Sequence, residues 1–97
     1  MAKKAPTPES IEAIALRIEQ LMGALDLTIS QFADGAGVSR TTISNWLNRR
    51  GRPSLDEVIK LVKAYQITID YIYLGRWDGL PVHIAQRLSQ HNVGEAA

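Results

Sequence analysis

The chain contains no cysteine. That absence excludes disulfide bonds, thiolate metal sites and cysteine nucleophiles together. The sequence also lacks an apolar run near the ~20 residues that a membrane-spanning helix requires, and its N-terminal residues lack the apolar core of a secretion signal. We therefore expect a soluble protein of the cytoplasm.

Sequence patterns that are typical of enzymes are also missing. No strand is predicted, so no glycine-rich phosphate loop follows one, and neither a nucleophile–base arrangement nor a pair of carboxylates in one cleft is evident. The two histidines, His83 and His91, lie eight residues apart on one predicted helix, which is too far for a shared metal ion. We expect no catalytic activity, no cofactor and no metal site.

What the chain does have is an ordinary globular composition with an uneven distribution of charge. Its 97 residues, 45% of them hydrophobic, are enough for one domain with a single modest core. The net charge is only +1, but residues 28–52 carry four arginines against one aspartate, a net charge of +3, and each flanking segment is at −1. A basic face between acidic flanks can still bind and orient on DNA.

A segment near the middle of the chain predicts two short helices joined by a tight turn. Thr28 is followed three residues later by Gln31, which completes a capping box, so a helix should begin directly after Thr28. Gly35 and Gly37 should end that helix. Gly37 suits the left-handed backbone conformation that a sharp turn requires.

The second helix of this segment should run from Arg40 to about Asn48, with Ser39 as its N-cap. Its few apolar residues are Ile43, Trp46 and Leu47, and its polar residues are Arg40, Thr41, Ser44, Asn45 and Asn48. Serine, threonine and asparagine each cost a helix about 0.5 kcal/mol relative to alanine. A face built from them is better matched to base edges and phosphates than to water. A capped surface helix with incidental serines and threonines is the alternative.

Six positions fall at the spacing that marks a helix-turn-helix: Phe32, Ala33, Gly37, Val38, Ile43 and Trp46. On these residues the chain resembles the Cro/phage-repressor (XRE-type) helix-turn-helix family, over about residues 11–75. The resemblance implies an all-α, five-helix lambda-repressor-like DNA-binding domain, to which this chain appends a C-terminal sixth helix. One position departs from the pattern, because Ile29 stands where many members have a glutamine that contacts the DNA backbone.

We accordingly divide the chain into three parts: a flexible basic N-terminal arm (residues 1–7), a helix-turn-helix DNA-binding domain (8–75), and a C-terminal turn, short helix and frayed tail (76–97). The first helix should have Thr7 as its N-cap and Pro8 in its first turn, and should end near Asp26. The sixth helix should end near Gln90.

Apolar periodicity predicts the side chains that face the core. The fourth helix, which begins with the capping box of Ser54 and Glu57, should bury a stripe made of Leu55, Val58, Ile59, Val62 and Tyr65. The fifth helix, capped by Thr68, should bury Ile69, Ile72 and Leu74. Tyr71 and Tyr73 should then lie partly exposed.

The resemblance implies that the second motif helix enters the major groove of double-stranded DNA. Carried over position by position, it implies base contacts from Arg40, Thr41, Ser44 and Asn45. It implies phosphate contacts from Thr28, Ser30, Gln31, Thr42, Asn48, Arg49, Arg50 and Arg52, the first three in place of the missing glutamine. Arg40 is the strongest candidate for a specific contact, because arginine reads O6 and N7 of guanine bidentately.

These observations lead to a main hypothesis and an alternative. The main hypothesis is a small transcriptional regulator, a homodimeric repressor that reads a palindromic operator. Apolar residues surplus to a five-helix core should close the dimer, with docking back on the same domain as the rival explanation: Trp77, Leu80, Val82, Ile84 and Leu88. The alternative is an antitoxin-like protein-interaction module that binds its own operator and holds a protein partner with its C-terminal segment.

Overall fold

The computed structural model describes the backbone of residues 7–96 and the side chains of residues 7–91. The predicted basic arm therefore lies outside the described residues, except for Thr7. Six helices follow one another: α1 (Ile11–Ala24), α2 (Ile29–Ala36), α3 (Arg40–Leu47), α4 (Leu55–Tyr65), α5 (Ile69–Leu74) and α6 (Val82–Ala96). Residues 7–96 contain no strand, and the predicted all-α architecture of five helices plus one is confirmed.

Local capping chemistry sets most of the helix starts where the sequence predicts them. The hydroxyl of Thr28 accepts a hydrogen bond from the backbone N–H of Gln31, whose side chain accepts one from the N–H of Thr28. Ser54 and Glu57 form the same reciprocal pair at the start of α4. Gly37 has a φ of 73° and ends α2 in the left-handed conformation, as expected.

The start of α1 differs from the prediction. Ser10, not Thr7, is the N-cap, and its hydroxyl accepts a hydrogen bond from the backbone N–H of Ala13 at 3.1 Å. The N–H of Ser10 donates to the carbonyl of Thr7, so Pro8 lies in a turn before the helix. Thr7 and Ser10 are both suitable N-cap residues. Because the backbone of Ser10 is extended, the helix begins after Ser10 and does not extend back to Thr7.

Gly35 does not end α2, contrary to the prediction, because the helix continues through it to Ala36. Its lack of a side chain serves packing instead. A β-carbon at this position would lie 2.5 Å from the hydroxyl oxygen of Tyr65. That hydroxyl donates a hydrogen bond to the carbonyl of Phe32 at 2.6 Å, and the two aromatic rings stack with centroids 4.8 Å apart. The contact fastens α4 to α2.

The core contains side chains from all six helices. The prediction that three further residues are buried in it is wrong. Leu55, Ile69 and Leu74 are 54%, 37% and 41% exposed. Leu61, which the predicted stripe omits, is fully buried. Tyr71 is also buried rather than partly exposed. Only the docking of α4 and α5 against distant helices decides which side of these short helices faces inward.

Arg17 on α1 holds the end of α5. Its guanidinium donates a hydrogen bond to the carbonyl of Ile72 at 2.8 Å. The partial negative charge at the C-terminus of a helix stabilises a cation at this position. Gly75 lies so close that a β-carbon there would be 2.9 Å from the guanidinium. Burial lowers the pKa of Arg17 and raises the pKa of Tyr71 to about 12, although the positive charge of Arg17 opposes the second shift. Tyr71 therefore stays neutral at physiological pH.

The sixth helix docks on α1 of its own domain. Leu80, Ile84 and Leu88 are 9%, 5% and 0% exposed and belong to the common core. Arg87 donates to the carbonyl of Ala24 at 2.9 Å and so caps the last turn of α1. The expectation that these apolar side chains are surplus and close a dimer is wrong, and the rival explanation is correct for them. The helix also runs to Ala96, past the predicted end near Gln90.

Candidate nucleic-acid interface

The helix α3 presents a polar face because its apolar residues are few and lie together. Ile43 and Trp46 are 0% and 4% exposed and bind the helix to the core. The predicted base-contact residues fall at i, i+1, i+4 and i+5, which places them on one helix face: Arg40, Thr41, Ser44 and Asn45. The first two are exposed, and the last two are half-buried. The structure thus brings all four together on the N-terminal and central part of α3.

The predicted phosphate contacts of α2 lie in its first turn and cap. The oxygens of Thr28 and Gln31 already accept hydrogen bonds within the capping box. The hydroxyl hydrogen of Thr28 and the amide NH₂ of Gln31 remain able to donate to a phosphate oxygen. Ile29 is 38% exposed beside them and cannot make the hydrogen bond of the glutamine that it replaces.

Two other predicted contacts, Thr42 and Asn48, already make hydrogen bonds with residues of α3 or its N-cap. The hydroxyls of Thr42 and Ser39 are 2.7 Å apart. The amide of Asn48 donates to the carbonyl and the hydroxyl of Ser44, at 3.0 and 3.3 Å. A predicted base contact and a predicted phosphate contact therefore share one hydrogen-bond network at the C-terminal end of α3.

Arg49 connects the loop after α3 to α1. Its guanidinium lies 3.2 Å from the carboxylate of Glu19 and donates to the carbonyl of Leu47 at 2.6 Å. Its backbone has a φ of 58°, a left-handed conformation that is uncommon for a residue other than glycine. Arg49 thus has a structural role that the sequence pattern did not predict.

The other two arginines of this loop point to solvent. Arg50 and Arg52 are exposed, and neither has a carboxylate partner among residues 7–91. The loop ends at the buried Pro53, whose carbonyl accepts a hydrogen bond from the hydroxyl of Tyr73 at 3.0 Å. Two solvent-exposed cationic side chains therefore lie on a loop that contacts the rest of the domain through Arg49 and Pro53.

One residue that contacts the polar face of α3, Asp34, is not among the predicted DNA contacts. Asp34, in the last turn of α2, lies with its carboxylate 3.3 Å from the guanidinium of Arg40. The two side chains are 66% and 63% exposed. An aspartate six residues before an arginine, with a tight turn between them, was the only signal in the sequence for this pair.

Two further findings concern the described residues as a whole. Across the described residues, no group of His, Cys, Asp or Glu is arranged to hold a metal ion. None of the described helices is both long enough and apolar enough to cross a membrane.

Comparison with known proteins adds a family. A model of the helix-turn-helix family matches residues 18–72, more than half of the chain. The transcriptional activator BcrR of Enterococcus faecalis is 34% identical over 59 residues, which are 61% of this chain and 29% of that protein. The transcriptional regulator YobD of Bacillus subtilis is 30% identical over 56 residues, 58% of this chain and 50% of that protein.

A third relative comes from a bacteriophage. The transcriptional repressor RstR of the cryptic phage CTXphi of Vibrio cholerae is 31% identical over 61 residues, 63% of this chain and 54% of that protein. The chain thus spans about half or less of the length of these relatives. No solved structure matches the chain significantly.

Proposed function

Because the chain belongs to the Cro/phage-repressor (XRE-type) helix-turn-helix family of DNA-binding transcriptional regulators, we propose that it binds a specific double-stranded DNA sequence with α3 in the major groove. The observation that carries this proposal is the two-sided character of α3. Ile43 and Trp46 fix the helix to the core, and the opposite face carries hydrogen-bonding side chains that are poor helix formers. Such a helix presents donors and acceptors to base edges at fixed positions.

The exposed arginines have two different roles in this proposal. Arg40, at the first position of α3, reads a guanine, and Thr41, Ser44 and Asn45 read the neighbouring base pairs. Arg50 and Arg52 neutralise phosphates and release counterions, which strengthens binding to any sequence. Thr28, Ser30, Gln31, Thr42, Asn48 and Arg49 are the remaining phosphate contacts; of these, Arg49 is the weakest candidate, because Glu19 and Leu47 already hold its guanidinium.

The experiment that tests the proposal is selection of bound sequences from a random pool of double-stranded DNA by the full chain. A recurring palindromic site with half-sites about 34 Å apart is expected, since a twofold dimer places its recognition helices about one turn of DNA apart. Retention of the pool without enrichment would contradict sequence-specific binding.

Replacing Arg40 by alanine should distinguish readout from simple attraction. We expect a loss of about 1–3 kcal/mol on the selected site and a much smaller loss on random DNA. Arg50→Ala is the matched control. It should weaken binding to both DNAs by a similar factor and make the salt dependence shallower, because a phosphate contact is lost. Titrations at several salt concentrations measure both effects, and equal weakening of all sequences by Arg40→Ala would reduce Arg40 to a phosphate contact.

We further propose that the working unit is a homodimer. One recognition helix contacts too few base pairs to single out one genomic site, and a twofold axis doubles the contacts. The tyrosines of α5 are poorly placed for an interface, since Tyr71 is buried and Tyr73 is engaged with Pro53. What supports an interface nearby is a set of exposed apolar side chains on α5, in the segment after it and at the start of α6: Ile69, Leu74, Trp77 and Val82.

Leu74→Glu should weaken this dimer. A charge in an apolar interface loses its solvation without gaining a partner, so we expect the dimer dissociation constant to rise by about tenfold or more. Leu16→Glu is the control, because Leu16 is 47% exposed, similar to the 41% of Leu74, but lies on α1. Sedimentation over a range of concentrations measures both. A parent chain that stays monomeric at every concentration would contradict the homodimer.

Repression is the mode of regulation that we propose. A bound dimer represses by occupying DNA that the transcription machinery must reach, and this requires no further surface. Known relatives include a repressor and an activator. Transcription from a promoter that carries the selected site should fall when the protein is added. A rise in transcription would show that the protein is an activator and not a repressor.

Nothing in the described residues favours the antitoxin-like alternative over this proposal. That alternative requires the C-terminal segment to hold a protein partner. Three apolar side chains of that segment, Leu80, Ile84 and Leu88, are instead buried in the core of their own domain, which leaves Trp77 and Val82 exposed.

A further inference from the structure

The ion pair between Asp34 and Arg40 joins the two helices of the motif across their turn. Asp34 lies in the last turn of α2, and Arg40 is the first residue of α3. The carboxylate Oδ2 and the guanidinium Nη2 are 3.3 Å apart. The pair therefore stands at the N-terminal end of α3, the end from which recognition helices of this motif contact base edges.

The charge of Asp34 is unfavourable both for its own helix and for binding to DNA. A negative charge in the last turn of a helix opposes the helix dipole, and aspartate is a poor helix former. A carboxylate beside the DNA surface also repels phosphates, which weakens binding to every sequence. The ion pair itself adds little to folding, because exposed pairs of this kind lose most of their attraction to solvent screening and side-chain entropy.

We propose that Asp34 is a specificity-determining residue, which positions the guanidinium of Arg40 for a guanine and penalises binding to DNA that lacks one there. This inference rests on the proposed function. A free arginine side chain loses much of its rotamer freedom when it is fixed at a base. A carboxylate that restricts the guanidinium beforehand removes part of that loss at the correct site only.

The guanidinium of Arg40 has enough N–H groups to contact Asp34 and a guanine at the same time. Asp34 accepts from Nη2 through a single oxygen, and a guanidinium has five N–H groups. One is used by the carboxylate and four remain, while the bidentate contact with O6 and N7 of guanine needs two. Arg40 can therefore keep its contact with Asp34 while it reads the base.

The test compares the full parent chain with Asp34→Asn on two DNAs: the selected site, and the same site with the guanine pair at the Arg40 position replaced. Asp34→Asn removes the charge and keeps the size of the side chain. We expect the ratio of the two affinities to fall about two- to fivefold, the range that an exposed ion pair supports. Affinity for random DNA should stay the same or rise, because a repulsive charge is gone.

Two further variants isolate the mechanism. In the Arg40→Ala background, Asp34→Asn should leave the ratio unchanged, because the group that it positions is absent. Glu19→Gln is the matched control, since Glu19 forms the other exposed ion pair, at 3.2 Å from Arg49. It should change the affinity for both DNAs by one factor and leave their ratio at the parent value. Thermal unfolding verifies that each variant is folded.

The outcomes separate this inference from the proposed function. A parent chain that selects no sequence would overturn both. A selective parent whose ratio is unchanged by Asp34→Asn would overturn the inference alone and make Asp34 a source of repulsion only. A ratio that rises would also overturn it, because Asp34 would then compete with the guanine for Arg40.

Discussion

Replacing Trp46 by alanine is expected to lower the free energy of unfolding by about 3–5 kcal/mol, the range for a large aromatic side chain in a core. Trp46 is 4% exposed on α3 and packs in the common core, so its removal leaves a cavity that the surrounding helices cannot fill. Small domains have only about 5–15 kcal/mol of total stability. The variant should therefore be close to unfolding at physiological temperature.

Trp77→Ala is the natural control for this experiment, because Trp77 is the other tryptophan of the chain and is 39% exposed. It should lower the stability of the monomer much less. Urea denaturation followed by circular dichroism measures both variants without depending on tryptophan fluorescence. If Trp46→Ala unfolds at the same urea concentration as the parent, then Trp46 does not lie in the core and α3 must be held in another way.

Replacing Leu88 by alanine is the second change with a large expected effect. Leu88 is fully buried on α6, and truncation of a buried leucine costs about 2–5 kcal/mol. A helix that served only as a partner surface would tolerate the change with little loss. The expected destabilisation thus tests whether α6 is a structural part of the domain.

Val82→Ala provides the comparison on the same helix, because Val82 is 72% exposed. Its effect on the free energy of unfolding of the monomer should stay within about 0.5 kcal/mol, as for most surface substitutions. Both variants can be measured by thermal and urea denaturation. Equal stability of Leu88→Ala and the parent would show that α6 detaches from α1 in solution and would return its apolar residues to the list of candidate interface groups.

The contrast between α3 and the tail shows what each kind of information can decide. On α3, the two buried residues and the four residues of the polar face could be assigned from the sequence, since spacing and residue type agree. In the tail, the spacing of Leu80, Ile84 and Leu88 predicted that these apolar side chains are buried. It did not show whether a second copy of the chain or the same domain covers them. Packing on α1, more than 55 residues earlier in the chain, supplied the answer.

The candidate site divides in the same way. The exposure of Arg40, Arg50 and Arg52 follows from their positions in the motif and loop. The ion pair of Arg49 with Glu19 does not, because thirty residues separate the two and only the docking of α1 near the end of α3 brings them together. The hydrogen bonds of Arg49 to Glu19 and Leu47 in turn leave Arg50 and Arg52 as the better candidates for the proposed phosphate contacts.

The sequence by itself determined the helix-turn-helix, four of the caps and the left-handed turn at Gly37. These features depend on hydrogen bonds and backbone preferences within a few residues, which neighbouring side chains specify completely. Tertiary structure alone decided the inward face of α5, where Tyr71 is buried and Ile69 and Leu74 are not. A helix of six residues is too short for its own pattern to define a face, so the helices packed around it choose which side chains lose contact with water.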